Sequence, residues 1–404
     1  MKKNELNKYG TLLSLYLAQS IPMSFFSTVI PVIMRMENYS LESIGYIQLI
    51  KLPWILKMLW APLVDKTSKN KRHYRRWIIM SEAFYALIIM SIGYLNLQTD
   101  FTTIIVLMVI AFTASATQDI ATDAFAILIL NKNERSLGNS MQSAGSFIGT
   151  MMGSGVLLII YHYWGWLWLL RSLGLFVLFA LIPVTLYKMK KDRETKGPSK
   201  KVSPLDFAYF FKQKKIGGHV LLLFLFYSGI IGILTMVKPY FVDLGYDVKK
   251  IGVISGIFGT ACGVAMTIPA GMFLRRRGIV RSVWYFPVLN LLVAVYFFGL
   301  TFTNHQLILM YIGVALLWGA YAMASVFVYT MSMQVVRKGR EGTDFTIQIV
   351  ITHLSSLVIA IMSGKIADAI GYRGLFGIEI ALGVIILLLL PFIFNVSFYE
   401  REEE

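Results

Sequence analysis

Twelve stretches of this chain are each long and apolar enough to cross a bilayer, and that recurrence constrains the fold more than anything else in the sequence. They fall at about residues 11–34, 43–65, 76–96, 102–130, 138–161, 166–187, 217–240, 249–273, 282–300, 306–335, 343–369 and 372–396. A hydrocarbon core of about 30 Å takes roughly 20 apolar residues as an α-helix. Composition agrees. Hydrophobic residues make up 56% of the chain and charged residues 15%, against about 25% charged in soluble domains. The mean hydropathy is +0.65. The expected fold class is an all-α integral membrane protein with twelve transmembrane helices.

A net charge of +16 would suit a nucleic-acid partner if the charges were clustered on a soluble face. They are distributed by loop instead. Lys and Arg crowd the N-terminal tail, 65–76, 131–137, 188–216, 274–281 and 336–342, whereas the alternate loops hold only Arg35, Lys249, Lys250 and Arg373. Positive loops stay inside, so both termini are expected in the cytoplasm, with lipid and not nucleic acid as the polyanionic neighbour. Three lysines precede the first apolar run without a small-residue cleavage site, which reads as a start-transfer span and not a removed leader. Cys262 is the single cysteine; one thiol makes neither a disulfide framework nor a cysteine-rich metal site. No metal and no cofactor is expected.

The one long polar stretch, residues 188–216, is basic and contains Pro198 and Pro204. It divides the chain into an N-terminal six-helix bundle (1–187), a cytoplasmic linker (188–216) with a short amphipathic helix near 204–212, and a C-terminal six-helix bundle (217–404). The halves look like a repeat. At a constant separation of 207 residues, Tyr39 matches Tyr246, Ile44 matches Ile251, Gly45 matches Gly252 and Pro62 matches Pro269. Parallel six-span repeats build one large group of secondary transporters, with the solute site near mid-membrane between the halves. Glycines at 145, 149, 153 and 155 in the fifth run, and at 252, 256, 259 and 263 in the eighth, form small-xxx-small stripes that bring helices close.

Within the fourth run stands T-Q-D-I-A-T-D, residues 117–123. Asp119 and Asp123 are four apart and share a helix face with Gln118 beside them. Carboxylates at membrane depth are costly, and normally face a partner or a water-filled cavity. The second run supplies Lys57 at matching depth, about two turns from the cytoplasmic end, so Lys57 is expected to approach at least one of the two acids. The four residues are candidates for proton coupling or the solute route. Gln19, Lys51, Arg171, Gln348 and His353 are weaker candidates for solute binding. Tyr16, Tyr227, Trp54 and Trp318 would give aromatic walls, and Asp344 suits a helix cap at the start of the eleventh run.

The loop from Ala61 to Arg72, A-P-L-V-D-K-T-S-K-N-K-R, resembles the signature loop of the major facilitator superfamily. Asp65, Lys66, Lys71 and Arg72 fit the pattern, while Ala61 and Ser68 stand where it has glycine. Asp65 ends the second span and can accept hydrogen bonds from a neighbouring helix end. A narrower resemblance runs through I-G-Y-I-Q-L-I-K-L-P-W-I-L-K-M-L-W-A-P-L-V-D (residues 44–65), R-R-W (75–77) and A-T-Q-D-I-A-T-D-A (116–124). These are similar to the AmpG-type branch, which includes muropeptide permeases, acetyl-CoA transporters and siderophore permeases of the RhtX/FptX type. That branch's lysine falls on Lys57 and its two acids on Asp119 and Asp123. Its Q-G-[LI]-P is here Gln19-Ser20-Ile21-Pro22, and the chain lacks the extra pair of spans of some muropeptide permeases. The resemblance implies a proton-driven importer in the bacterial inner membrane; a bulky polar small molecule is the solute expected, and the chain is expected to act as a monomer. A muropeptide is the first substrate expected. A siderophore is the alternative, on the stretch Gly342–Gln348. The other class, a membrane-embedded enzyme or receptor, finds no H-E-x-x-H, P-loop or nucleophile elbow in the sequence.

Overall fold

The computed structural model describes residues 3–36, 50, 52–189, 202–203, 205–303 and 306–399. Among them the only regular structure is helix, as a bilayer requires of a chain whose backbone groups must be satisfied within each segment. Among the described residues, six helices are long and apolar enough to cross a membrane: Phe101–Ile129, Lys132–Leu186, Ile216–Asp243, Lys249–Ser282, Leu307–Gln334 and Glu341–Ile393. Three positive-φ glycines break longer helical runs into separate spans: Gly165 (φ 74°), Gly278 (φ 72°) and Gly371 (φ 71°). Only glycine enters that region without a steric penalty. Gly165 and Gly371 lie 206 residues apart, so the same break recurs at the same place in each half.

The described residues thus form twelve helical spans: 3–36, 52–67, Lys71–Ile92, Phe101–Ile129, 135–164, 166–186, 216–243, 248–277, 279–300, Leu307–Gln334, 341–370 and 372–393. They are numbered 1 to 12 below. Tyr39, Ile44, Gly45 and Lys51 lie outside the described residues. Span 3 begins at Lys71, five residues before its apolar run, because Asn70 caps it: Oδ1 accepts from the backbone N–H of Arg72 and His73. Of the repeat pair Pro62 and Pro269, the first opens a new helix after a break, whereas the second lies inside Gly259–Ser282.

By its contacts the chain divides into two units, 1–132 with 145–208 and 336–347, and 133–144 with 209–335 and 348–404. Each unit therefore takes most of one half and the first turns of one helix from the other: span 11 in the first unit, span 5 in the second. In the first unit, Phe26 meets Phe25 and Phe112 edge-on at 4.9 and 4.6 Å between ring centroids, backed by Leu169, Leu173 and Val177. Gly145, Gly149 and Gly153 bring span 5 onto span 1; a Cβ at Gly149 would sit 2.6 Å from Ser20 Cβ. In the second unit, Phe226 stacks on Phe327 at 5.0 Å. The start of span 5 is bound there by Asn139 Nδ2 to Thr330 Oγ1 (3.2 Å) and by Ser140 Oγ to the Thr267 carbonyl (2.6 Å).

The expected close packing of both glycine stripes is corrected at three positions. No described atom lies within 4 Å of a Cβ built at Gly155, Gly252 or Gly256, although Gly259 lies tight against Trp318. Wide π-type turns at Met152–Val156 and Gly252–Phe258 are the reason. They shift the i, i+4 register, so each stripe is divided between two helix faces.

Candidate functional site: a buried charge cluster on spans 1, 2 and 4

Span 2 is interrupted where its lysine sits. Pro62 has no N–H and its ring clashes with the carbonyl four residues back. Leu52–Leu56 accordingly ends in a 3₁₀ turn, Lys57–Leu59, before a new helix starts at Ala61. Lys57 lies in that turn and is fully buried. Its ammonium forms an ion pair with Asp119 of span 4 and lies 4.7 Å from the ring centroid of Trp54, a cation–π contact.

Span 4 presents a continuous buried polar face: Ser115, Gln118, Asp119, Thr122 and Asp123. Asp123 accepts a 2.8 Å hydrogen bond from Tyr16 of span 1, and Gln19 Nε2 donates to Gln118 Oε1 at 2.7 Å. Among the described residues, Gln118 Nε2 and Thr122 Oγ1 have no partner. Two carboxylates one helical turn apart therefore share one lysine. With both ionised, the cluster carries one negative charge in excess, which a buried site holds only at high cost. These residue types do not recur at the repeat positions: 207 residues on, Tyr16, Gln19, Gln118 and Asp123 correspond to Leu223, Phe226, Ser325 and Thr330.

The basic end holds a second network. Asp65, at the end of span 2, is nearly fully buried. Its carboxylate accepts from the N–H of Gly342 (3.0 Å) and Thr343 (2.7 Å), the Thr343 hydroxyl (2.6 Å) and the Tyr74 hydroxyl (2.7 Å). It thus caps the N-terminus of span 11, where orphan N–H groups and the helix dipole favour an anion. The reading of Asp344 as that cap is corrected. Asp344 instead accepts from the backbone N–H, Nε and Nη2 of Arg337. Arg337 also donates to the Asp206 carbonyl and Arg340 to one oxygen of its carboxylate, whose other oxygen takes the Ser203 N–H ahead of Asp206–Phe211. Burial pushes the Asp206 carboxyl up, but the Arg340 hydrogen bond, the Ser203 N–H and the charges of Arg340 and Arg337 outweigh it and hold it below its ordinary range.

The remaining candidates are dispersed. Lys66 and Arg72 are exposed and Lys71 is half-buried. Arg171 donates to Tyr94 Oη at 2.7 Å and lies over the Tyr94 and Trp168 rings, an aromatic anchor separate from the cluster. Gln348 is buried, bonded to His219 Nε2 (2.6 Å) and to the Ser332 carbonyl (3.2 Å). His353 is exposed. Sequence reasoning saw Tyr16 as a wall and missed its bond to Asp123. It also passed over His219, Glu82 and Glu379, although charges in apolar runs are themselves a signal.

The Major Facilitator Superfamily model matches residues 12–348. The chain belongs to the major facilitator superfamily. Among curated relatives, the anhydromuropeptide permease of Escherichia coli K12 is 24% identical over 390 residues, covering 94% of this chain and 78% of the permease. An AmpG-type transporter of Rickettsia typhi is 24% identical over 374 residues, covering 87% of each. Solved members of the superfamily share the fold at low identity. A bacterial homologue of the iron transporter ferroportin, in an outward-facing state, superposes with a TM-score of 0.70 at 14% identity, over 98% of this chain and 100% of that one. The proton:xylose symporter XylE gives 0.68 at 12%, over 96% and 94%. The resemblance to the AmpG-type branch stands with these relatives, and the chain is an integral membrane transporter of small solutes.

Proposed function

We propose that this transporter imports an anhydromuropeptide-type sugar–peptide across the bacterial inner membrane, both termini cytoplasmic, driven by protons. Coupling is assigned to Lys57, Asp119 and Asp123. The observation that carries it is the charge count at the buried cluster: two carboxylates, one lysine, and a tyrosine hydroxyl on the carboxylate that the lysine does not pair. Protonation of Asp123 neutralises the site; loss of that proton restores the excess charge and favours rearrangement toward Lys57 or toward water. Gln118 and Thr122, with donors unclaimed beside the acids, suit solute hydroxyl or amide oxygens. Asp65 holds the start of span 11 on span 2 as an inner gate, whose opening alternating access requires. The stretch 342–348 that suggested a siderophore is engaged in structural contacts by Gly342, Thr343, Asp344 and Gln348, so it lends that substrate no separate support.

Uptake of radiolabelled anhydromuropeptide into proteoliposomes tests this reading. Accumulation should follow an inward proton gradient and collapse with a protonophore. Gradient-independent uptake, or none of this solute, overturns it.

A further inference from the structure

Glu379 of span 12 is a second acid within the membrane, and the Lys57 cluster does not use it. It lies eight residues past the Gly371 break, about 12 Å along the helix at about 1.5 Å per residue, and is 1% exposed. Span 7 makes room for it: a Cβ at Gly232 would overlap the carboxyl and lie 2.6 Å from Ser363 Oγ of span 11. A little further along, a Cβ at Gly229 would come within 3.2 Å of Gly383 Cα. The glutamate thus fills the volume of an absent side chain.

We propose that Glu379 is a proton-binding site in the second unit, loading and releasing H⁺ reversibly. The proposal rests on and deepens the proton-coupled reading. No cation neutralises this carboxyl among the described residues. Of the charged groups on the spans packed around it, Lys238 of span 7 and Lys365 and Asp368 of span 11 are exposed. Asp243 of span 7 accepts from the Tyr372 hydroxyl, and Arg373 of span 12 lies over Phe302. Span 9 packs against span 12 with apolar side chains, Leu291 on Gly383, Phe297 on Phe376 and Phe298 beside Gly377. One oxygen, Oε1, lies over the span 7 backbone at Gly232. The other, Oε2, has no partner among the described residues. In the same pocket Ser363 spends its own hydrogen on the Ile359 carbonyl at 2.7 Å, so that hydrogen does not serve the carboxylate. An intramembrane carboxyl without a cation is neutral or it is functional, and a buried carboxyl with one oxygen unpartnered suits a proton that comes and goes.

The test is infrared spectroscopy of the full-length protein in liposomes, with ¹³C-carboxyl glutamate and no solute present. A protonated-carboxyl C=O band that shifts with the glutamate label should fade as the pH is raised. It should vanish in Glu379→Gln and persist in Glu82→Gln, the other buried glutamate, and in Asp123→Asn. A glutamate band that stays constant over the whole pH range marks a permanently protonated strut and overturns the proposal. So does a band that survives Glu379→Gln, or one lost in Glu82→Gln instead. The label identifies glutamate in the unaltered protein and Glu82→Gln assigns it, so the test holds even if Glu379→Gln fails to insert. It needs neither solute nor gradient, so its failure is distinct from failure of proton-driven uptake.

Discussion

Replacing Lys57 by methionine removes a buried ammonium from Asp119 and from the face of Trp54. Asp119 is then left ionised at 5% exposure. Breaking a buried pair from one side costs about 3–5 kcal/mol, which at about 1.4 kcal/mol per factor of ten is roughly two to three and a half orders of magnitude in the folding equilibrium. Lys57→Met alone should therefore lower the melting temperature in detergent and reduce insertion. Adding Asp119→Asn removes the orphaned charge, and replacing both partners is far milder than losing one. The double variant should regain most of the stability. Asp123→Asn behaves differently. Its amide oxygen still accepts the 2.8 Å bond from Tyr16, so the protein should fold, insert and exchange solute in counterflow, yet fail to accumulate solute against its gradient. The assay is thermal melting of the three variants, with uphill uptake and counterflow in proteoliposomes. Normal uphill accumulation by Asp123→Asn would refute the coupling role, and a double variant as unstable as Lys57→Met would refute the pairing.

Other expectations follow from the same geometry. Gly149→Leu drives a side chain into Ser20; overpacking of this kind costs about 1–3 kcal/mol, so its melting point should fall while Gly256→Leu, with no described atom in its way, melts as the parent does. Asp65→Ala uncaps span 11 and strips four hydrogen bonds from one carboxylate; a cap alone is worth about 1 kcal/mol, so the variant should melt lower and admit thiol reagents to a cysteine placed at Thr343 faster than the parent. Asp206 is held below its ordinary pKa of 3.8, so its stabilisation is present above that value and disappears as the pH falls through the lower folded value. Melting curves of Asp206→Asn should lie below the parent at neutral pH and converge with it in strong acid.

The twelve spans, the alternation of basic loops and the depth match of Lys57 with the two aspartates were legible in the chain, because each depends on local composition and on the 1.5 Å rise of a helix. Hydrophobic length sets where a span lies, and i, i+4 spacing sets which residues share its face. The choice of partner was not legible. Lys57 pairs with Asp119 and leaves Asp123 to Tyr16 because Pro62 breaks span 2 and turns the lysine onto one acid, a rotation that no spacing rule predicts. Likewise, the π-type turns divided glycine stripes that looked continuous, and Asp65, some 277 residues away in sequence, took the capping role that Asp344 seemed placed to fill. A capping position is defined by orphan N–H groups in space, and which carboxylate reaches them is decided by packing between spans. The sequence by itself determined which groups are buried in the membrane; only the tertiary structure decided which of them meet, since a buried charge takes the nearest partner in three dimensions, not along the chain.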